Sequence, residues 1–173
     1  MSLFENVEIH TERLKLRCFI NTDKEDFYSI LQDPVLYKTL PNDHMYNREE
    51  VNEIIDWFLE KYKENTIENI EKFTLAIILK EENRIIGDIG IGKYSKDETK
   101  TEFFYFINSR YWNRGIVSEA ARVFLEYIQI NELAKELIAD VVIGNTASCR
   151  ILEKNGFVIK EKEASNVFIR VFT

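Results

Sequence analysis

Trp112-Asn113-Arg114-Gly115-Ile116-Val117-Ser118-Glu119-Ala120 joins an aromatic stretch, Glu102 to Asn108, to an amphipathic one. After the glycine, Ile116, Ala120, Val123, Phe124, Tyr127 and Ile128 recur at the i, i+4, i+7, i+8 spacing of one buried helical face. Before it, Glu102-Phe103-Phe104-Tyr105-Phe106-Ile107 is almost wholly apolar, which predicts a strand covered on both sides. A Gly turn thus delivers a strand into a helix. The first backbone N–H groups of a helix have no partner within it, and with the positive end of the macrodipole they form a site for a pyrophosphate.

An isolated glycine loop also reads as a plain turn with Arg114 in solvent. It lacks the G-x-G-x-x-G of a dinucleotide site and the Gly-Lys-Ser/Thr ending of a P-loop, so neither a nicotinamide cofactor nor a nucleoside triphosphate is indicated.

Around this turn the chain predicts a first strand at Glu8–Cys18 and a helix opened by Thr22-Asp23-Lys24-Glu25 that runs to Gln32, before Pro34. Asn47 with Glu50 three residues on signals a second N-cap, followed by the apolar stripe Val51, Ile54, Ile55, Phe58, Leu59 and Tyr62. Strands at Lys72–Lys80 and Arg84–Lys93 flank a polar turn, Glu81-Glu82-Asn83, and lead to the central strand Glu102–Asn108. Beyond the Gly115 helix come a strand at Leu137–Ile143, a short helix from Asn145 to Asn155 closed by Gly156 with Phe157 folding back, and strands at Phe157–Lys162 and Val167–Phe172. The order is α+β, a mixed sheet with helices on both sides.

The chain has 173 residues, 45% of them apolar, consistent with a single domain over residues 1–173. No repeat, low-complexity tract, signal peptide or membrane-spanning apolar run is visible, so a cytoplasmic protein with no membrane contact is expected. Cys18 and Cys149 offer neither metal-ligand spacing nor a disulfide framework, and His10 and His44 stand apart, so no metal is expected. A net charge of −7 argues against direct nucleic-acid binding and is compatible with an amine-bearing partner.

Three segments occur in order: Tyr105-Phe106-Ile107; Tyr111 to Ala120; and Asn145-Thr146-Ala147-Ser148-Cys149-Arg150-Ile151-Leu152-Glu153-Lys154-Asn155-Gly156-Phe157. Together they resemble a GNAT N-acetyltransferase over residues about 8 to 173. With the opening Thr11-Glu12-Arg13-Leu14-Lys15-Leu16-Arg17 they are similar to the RimJ/RimL-type branch, which acetylates ribosomal-protein N-termini. The resemblance implies a mostly antiparallel, six- to seven-stranded mixed sheet, splayed between its two central strands, with about four helices on both faces.

It also implies that acetyl-CoA is the co-substrate, its pantetheine arm lying between Glu102–Ile107 and Leu137–Ile143 like an added strand. Backbone partners for that arm are expected around Phe106, Ile107 and Asn108. The pyrophosphate would take the N–H groups of Asn113, Arg114, Gly115, Ile116, Val117 and Ser118, with the Arg114 side chain as added charge and Arg122 and Lys154 as open questions. Transfer would be direct attack by a neutral amine, with a backbone N–H at a bulge near Ile107 stabilising the oxyanion.

Glu102 is the candidate base, since a carboxylate in an apolar strand has its pKa raised by desolvation. An alternative reading pairs it with Lys100 at a wet strand end. Ser148 stands near the expected CoA sulfur and is the candidate proton donor, because the tyrosine many relatives carry is Leu152 here. Asn145 and Ser148 also read plainly as an N-cap and a packing residue. Glu119 reads as a structural acid that complements the helix dipole. Two departures from the family pattern are Asn113 where glycine is usual and Val117 where a small residue is usual.

The acceptor site would be walled by the first two helices, Tyr37–Tyr46 and the C-terminal strands. Tyr37, His44, Tyr46 and Trp57 are aromatic candidates, Trp57 also reading as core. The acceptor is a primary amine, either a protein α-amino group or a small molecule such as an aminoglycoside, polyamine or amino acid. A non-catalytic acyl-CoA-binding module, another acyl donor such as succinyl-CoA, and a monomer or homodimer all remain open.

Overall fold

The computed structural model describes residues 2–41 and 43–173. Among these, eight strands form one sheet: β1 Glu8–His10, β2 Leu14–Arg17, β3 Lys72–Leu79, β4 Arg84–Tyr94, β5 Asp97–Ile107, β6 Glu136–Val142, β7 Val158–Lys162 and β8 Ser165–Val171. Four α-helices accompany them: α1 Lys24–Leu31, α2 Arg48–Glu64, α3 Ile116–Ile130 and α4 Thr146–Lys154. The strand order is β1-β2-β3-β4-β5-β6-β8-β7, antiparallel except for β5 and β6.

The strand count exceeds the six to seven expected because Glu8–Cys18 is not one strand. The chain turns at Thr11, whose N–H reaches the Leu14 carbonyl at 2.9 Å, and the two halves pair as a hairpin with Ile9 opposite Leu16. The first helix also starts differently. Thr22 does not cap it; a 3₁₀ turn at Asn21–Asp23 precedes it, and Asp23 accepts from the Ile20 N–H at 2.8 Å while Arg17 grips its carboxylate in a fork. The second cap follows the sequence reading. Glu50 N–H donates to Asn47 Oδ1 at 3.0 Å and Asn47 N–H to Glu50 Oε2 at 2.8 Å, a complete capping box.

Side-chain alternation along the strands divides the helices between the two faces. Phe103 stacks on Phe124 of α3 and Tyr105 reaches Ser148 of α4, so α3 and α4 share one face. Phe106, one residue out of phase, meets Phe27 of α1, and Tyr62 of α2 donates to the Thr74 carbonyl at 2.6 Å on that opposite face. Leu14, Ile55, Phe73, Ile89, Phe124 and Leu137 are fully buried in one continuous apolar core. Trp57 is not part of it; it turns 37% exposed at the edge of the α2 stripe. Nor is β5 covered on both sides: Phe103 and Ile107 are buried, while Glu102, Phe104 and Phe106 on the α1–α2 face are only half-buried.

The sheet opens at its middle. β5 and β6 share a single registered pair, Glu102 with Ile138, and beyond it the strands diverge.

Candidate functional site

The gap is lined by main chain of defined orientation. Asn108 N–H donates across to Ile86 of β4 at 2.8 Å, so strand alternation turns the N–H and C=O of Phe106 to β4 as well. Tyr105 and Ile107 therefore face their backbone groups toward the gap, where the Ile107 carbonyl already accepts from Trp112 Nε1 at 3.0 Å. No bulge is needed for this. The β4–β5 register runs unbroken from Gly92–Glu102 to Gly87–Ile107, its one irregularity falling at Lys93/Tyr94. Asn108 is otherwise engaged, its side chain accepting from Arg110 N–H and its carbonyl from Tyr111 N–H.

Gly115 stands at the N-cap of α3 with φ +69°, in the left-handed region that glycine adopts freely. It has no side chain to cap the helix. The first helical bond is Glu119 N–H to Gly115 C=O at 3.1 Å, and among the described residues no hydrogen bond takes the N–H of Asn113 through Ser118. Asn113 itself has φ +60°, the conformation that makes glycine usual there and that asparagine tolerates better than other side chains. Val117 is half-buried, packing against the apolar core while also lining the cavity described below.

A cavity of about 360 Å³ starts at this helix end and runs to α4. Phe106, Ile107, Asn113, Arg114, Gly115, Ile116, Val117, Ser118, Asn145 and Ser148 all line it, while Asn108 does not. Lys154 reaches it and Arg122 does not; Arg122 lies toward Glu126 instead. Leu36 and Thr39 close it from the segment after α1. Tyr37, His44, Tyr46 and Trp57 do not line it: Tyr37 donates to the Leu31 carbonyl and His44 contacts Glu50.

Two groups escaped the sequence reading. The Tyr105 hydroxyl rests on the first turn of α4, 3.4 Å from the Ser148 carbonyl, and burial pushes its phenol up to about 12. It is a proton-bearing group inside the cavity; period-two alternation from buried Phe103 was the available signal. Arg13 was quoted only within a motif. Its guanidinium donates to the Arg114 carbonyl at 2.8 Å and forks onto Glu119, with Nε 2.7 Å and Nη2 2.6 Å from the carboxylate. Glu119 also accepts from Thr11 Oγ1 and Arg13 N–H. Burial alone would raise its carboxyl, yet these hydrogen bonds hold it below the ordinary range. Glu119 is thus structural, as expected, but by tying the β1–β2 hairpin to the mouth of α3.

Asn145 caps α4, its side chain accepting from Ser148 N–H at 3.1 Å. Ser148 is half-buried and faces the cavity. Glu102 lies on the other face of β5, outside the cavity lining. Lys100 does not pair with it but turns to Glu136, 3.3 Å away. Burial raises the Glu102 carboxyl above its usual value, and the positive charge of Lys72 offsets this in part.

Lys72, Thr74 and Asp88 share that face with Glu102. The Lys72 ammonium sits 3.3 Å above the centre of the Phe104 ring. Asp88 is 2% exposed; Thr74 donates to its Oδ2 at 3.1 Å, and Oδ1 has no hydrogen-bond partner among the described residues. No group of three or more His, Cys, Asp or Glu side chains among the described residues is arranged to hold a metal.

Residues 13–158 match the family described as acetyltransferase (GNAT) domain. An uncharacterized N-acetyltransferase, YnaD, of Bacillus subtilis is 30% identical over 150 residues, spanning 87% of this chain and 82% of that protein. Among solved structures, the ribosomal-protein-S5-alanine acetyltransferase of Vibrio fischeri superposes with a TM-score of 0.81 at 18% identity, covering 96% of this chain and 97% of that one. RimL, a ribosomal L7/L12 alpha-N-protein acetyltransferase in complex with coenzyme A, gives 0.81 at 13% identity, covering 96% and 98%.

Proposed function

Because the chain belongs to the GNAT acetyltransferase domain family, we propose that it transfers the acetyl group of acetyl-CoA directly to a primary amine, and that the favoured acceptor is a protein α-amino group. The observation that carries this reading is the α3 N-terminus: consecutive unclaimed N–H groups open into a cavity that continues to the gap in the sheet. The pyrophosphate of the coenzyme is held there, with Arg114 and Lys154 supplying positive charge. The pantetheine arm enters the gap and pairs with the inward-facing main chain of Tyr105 and Ile107, continuing the sheet like a strand.

The thioester carbonyl then lies close to the Ile107 N–H, which donates to the oxyanion as the amine attacks. Glu102, about 16 Å back along β5 from Ile107, removes the ammonium proton through a chain of waters before the nitrogen lone pair forms the new C–N bond. When the C–S bond breaks, the thiolate takes the hydroxyl proton of Ser148 at the N-terminus of α4, and the serine is restored by the proton that the new amide nitrogen sheds. No covalent enzyme intermediate forms. Residues 1–173 act as one unit, in the cytoplasm, where the free thiols of Cys18 and Cys149 stay reduced.

The acceptor assignment draws on the net charge of −7 and on what the two solved relatives act on by their names. The test is release of free CoA thiol from acetyl-CoA in the presence of a peptide and small-amine panel. The reading requires turnover with peptides bearing a free N-terminus, and a loss of about 100-fold or more in Glu102→Gln with coenzyme binding retained. Tight coenzyme binding with no turnover on any acceptor would assign a binding module instead.

A further inference from the structure

The main chain in the gap is already partly engaged. Trp112 Nε1–H donates to the inward C=O of Ile107 at 3.0 Å, while among the described residues no hydrogen bond takes the Ile107 N–H. Trp112 is held for this by the turn that ends β5. Its own N–H donates to the Ser109 carbonyl at 3.1 Å, within the 3₁₀ turn Ser109–Tyr111, which Tyr111 N–H closes on the Asn108 carbonyl at 3.0 Å. That turn is anchored at both ends, Ser109 N–H on Asp33 Oδ2 at 2.8 Å and the Tyr111 hydroxyl on Glu82 Oε2 at 2.6 Å. The indole is half-buried and lines the cavity beside Tyr105, Phe106 and Ile107, yet it gives its single donor to main chain and not to solvent. Packing needs only the ring. The N–H is what selects one carbonyl.

On a strand edge the N–H and C=O of one residue point the same way, side by side. An oxyanion held by the Ile107 N–H therefore forms beside the Ile107 oxygen, the negative end of a carbonyl dipole. With the indole N–H on that oxygen, its negative charge is met before the reaction begins. The Ile107–Asn108 peptide is also fixed through both of its groups, its C=O by Trp112 and its N–H by the Ile86 carbonyl at 2.8 Å. We propose that Trp112 is a positioning residue acting through Ile107: its indole N–H occupies the carbonyl that would oppose the developing oxyanion, so that the end of β5 offers the thioester a donor without a competing acceptor. This rests on the functional reading above, in which the Ile107 N–H is the oxyanion donor. The opposed charge exists only in the transition state, so the indole N–H acts on kcat and not on coenzyme binding. A free carbonyl there would instead catch an amide N–H of the coenzyme arm.

The experiment removes the donor and keeps the ring. In a Trp57→Phe background Trp112 is the sole tryptophan, and Trp112→3-benzothienylalanine then puts sulfur where the indole N–H stands. Against that background kcat should fall about tenfold, the order of one well-placed hydrogen bond. The Kd of coenzyme A, read by calorimetry, should stay within about twofold or tighten, because the freed carbonyl accepts from the arm. Trp112→5-fluorotryptophan, which keeps the N–H, should recover most of kcat. NMR of the Ile107 carbonyl carbon supplies the second readout: adding coenzyme A should leave its shift in place in the background and move it in the benzothienyl variant. Undiminished kcat in that variant, coenzyme affinity falling in step with kcat, or release of the indole N–H when coenzyme binds the background overturns the proposal alone. A background protein that binds no coenzyme A, or turns over no acceptor, overturns the functional reading and the proposal with it.

Discussion

The N-termini of α2 and α3 are built in opposite ways. α2 caps itself: Asn47 and Glu50 exchange hydrogen bonds within one turn, so the Glu50 N–H is satisfied locally. α3 leaves its end open, with glycine at the cap, and its first-turn acid, Glu119, turns away to bind Arg13 and Thr11 of the β1–β2 hairpin. A helix whose only task is to pack satisfies its own end. The α3 end, the site proposed for the coenzyme's phosphates, keeps its N–H groups unclaimed and is held in place from outside.

Closing α3 as α2 is closed should give the largest effect. Gly115→Asp places a carboxylate where the diphosphate is proposed to bind and strains the left-handed backbone, so calorimetry should show coenzyme A affinity falling about 100-fold, roughly 3 kcal/mol. Removing the outside support should cost less. Arg13→Ala frees the Arg114 carbonyl and unpairs Glu119, and is expected to weaken coenzyme binding about tenfold with a measurable return in Arg13→Lys. Opening α2 should leave coenzyme affinity unchanged; Asn47→Ala should lower stability by about 1 kcal/mol, read as a drop of about 3 °C in Tm.

The smallest effect is the response to acid. Glu50 is held below its usual 4.5 by the Asn47 N–H and by His44, and Glu119 is held below it by the hydrogen bonds that outweigh its burial. A carboxyl lowered in the folded state contributes fully above 4.5 and loses that contribution as pH falls through the folded value. Both helix ends should therefore loosen below about pH 4.5. Coenzyme affinity in that range should follow Glu119 alone: Glu119→Gln should flatten its fall, and Glu50→Gln should not.

What could be read from the chain and what could not divides along the same line. The α3 end, the Asn47 box and the Asn155-Gly156-Phe157 closure are written in neighbouring residues, and each formed as spaced, Phe157 N–H reaching back to the Leu152 carbonyl at 3.1 Å. The break of Glu8–Cys18 into two strands was not legible because no glycine or proline marks it: Thr11 and Leu14 close the turn themselves, Thr11 N–H on the Leu14 carbonyl and Leu14 N–H on Thr11 Oγ1, both at 2.9 Å. The Arg13 clamp and the Lys72–Asp88 arrangement, by contrast, are long-range and surface only once strands pair. Asp88 did leave a local sign, a lone acid in the apolar run Ile85-Ile86-Gly87-Asp88-Ile89, but its partners lie on other strands. The half-open face of β5 contradicted its apolar run for a different reason: hydrophobic composition predicts burial, and here Phe104 lies half-buried under the Lys72 ammonium while Phe106 lines the cavity.

The lone rung between β5 and β6 has a mechanical corollary. With Glu102 and Ile138 as the one registered pair between β5 and β6, backbone pairing divides the sheet into two plates, joined otherwise by side chains such as Lys96 on Asp140, and the smaller plate, β6-β8-β7, ends in a strand exposed along its whole length. Its amides should exchange with solvent first. A ligand threaded through the seam would suture the plates, so occupancy should be felt far from the ligand as slowed exchange at the outermost strand.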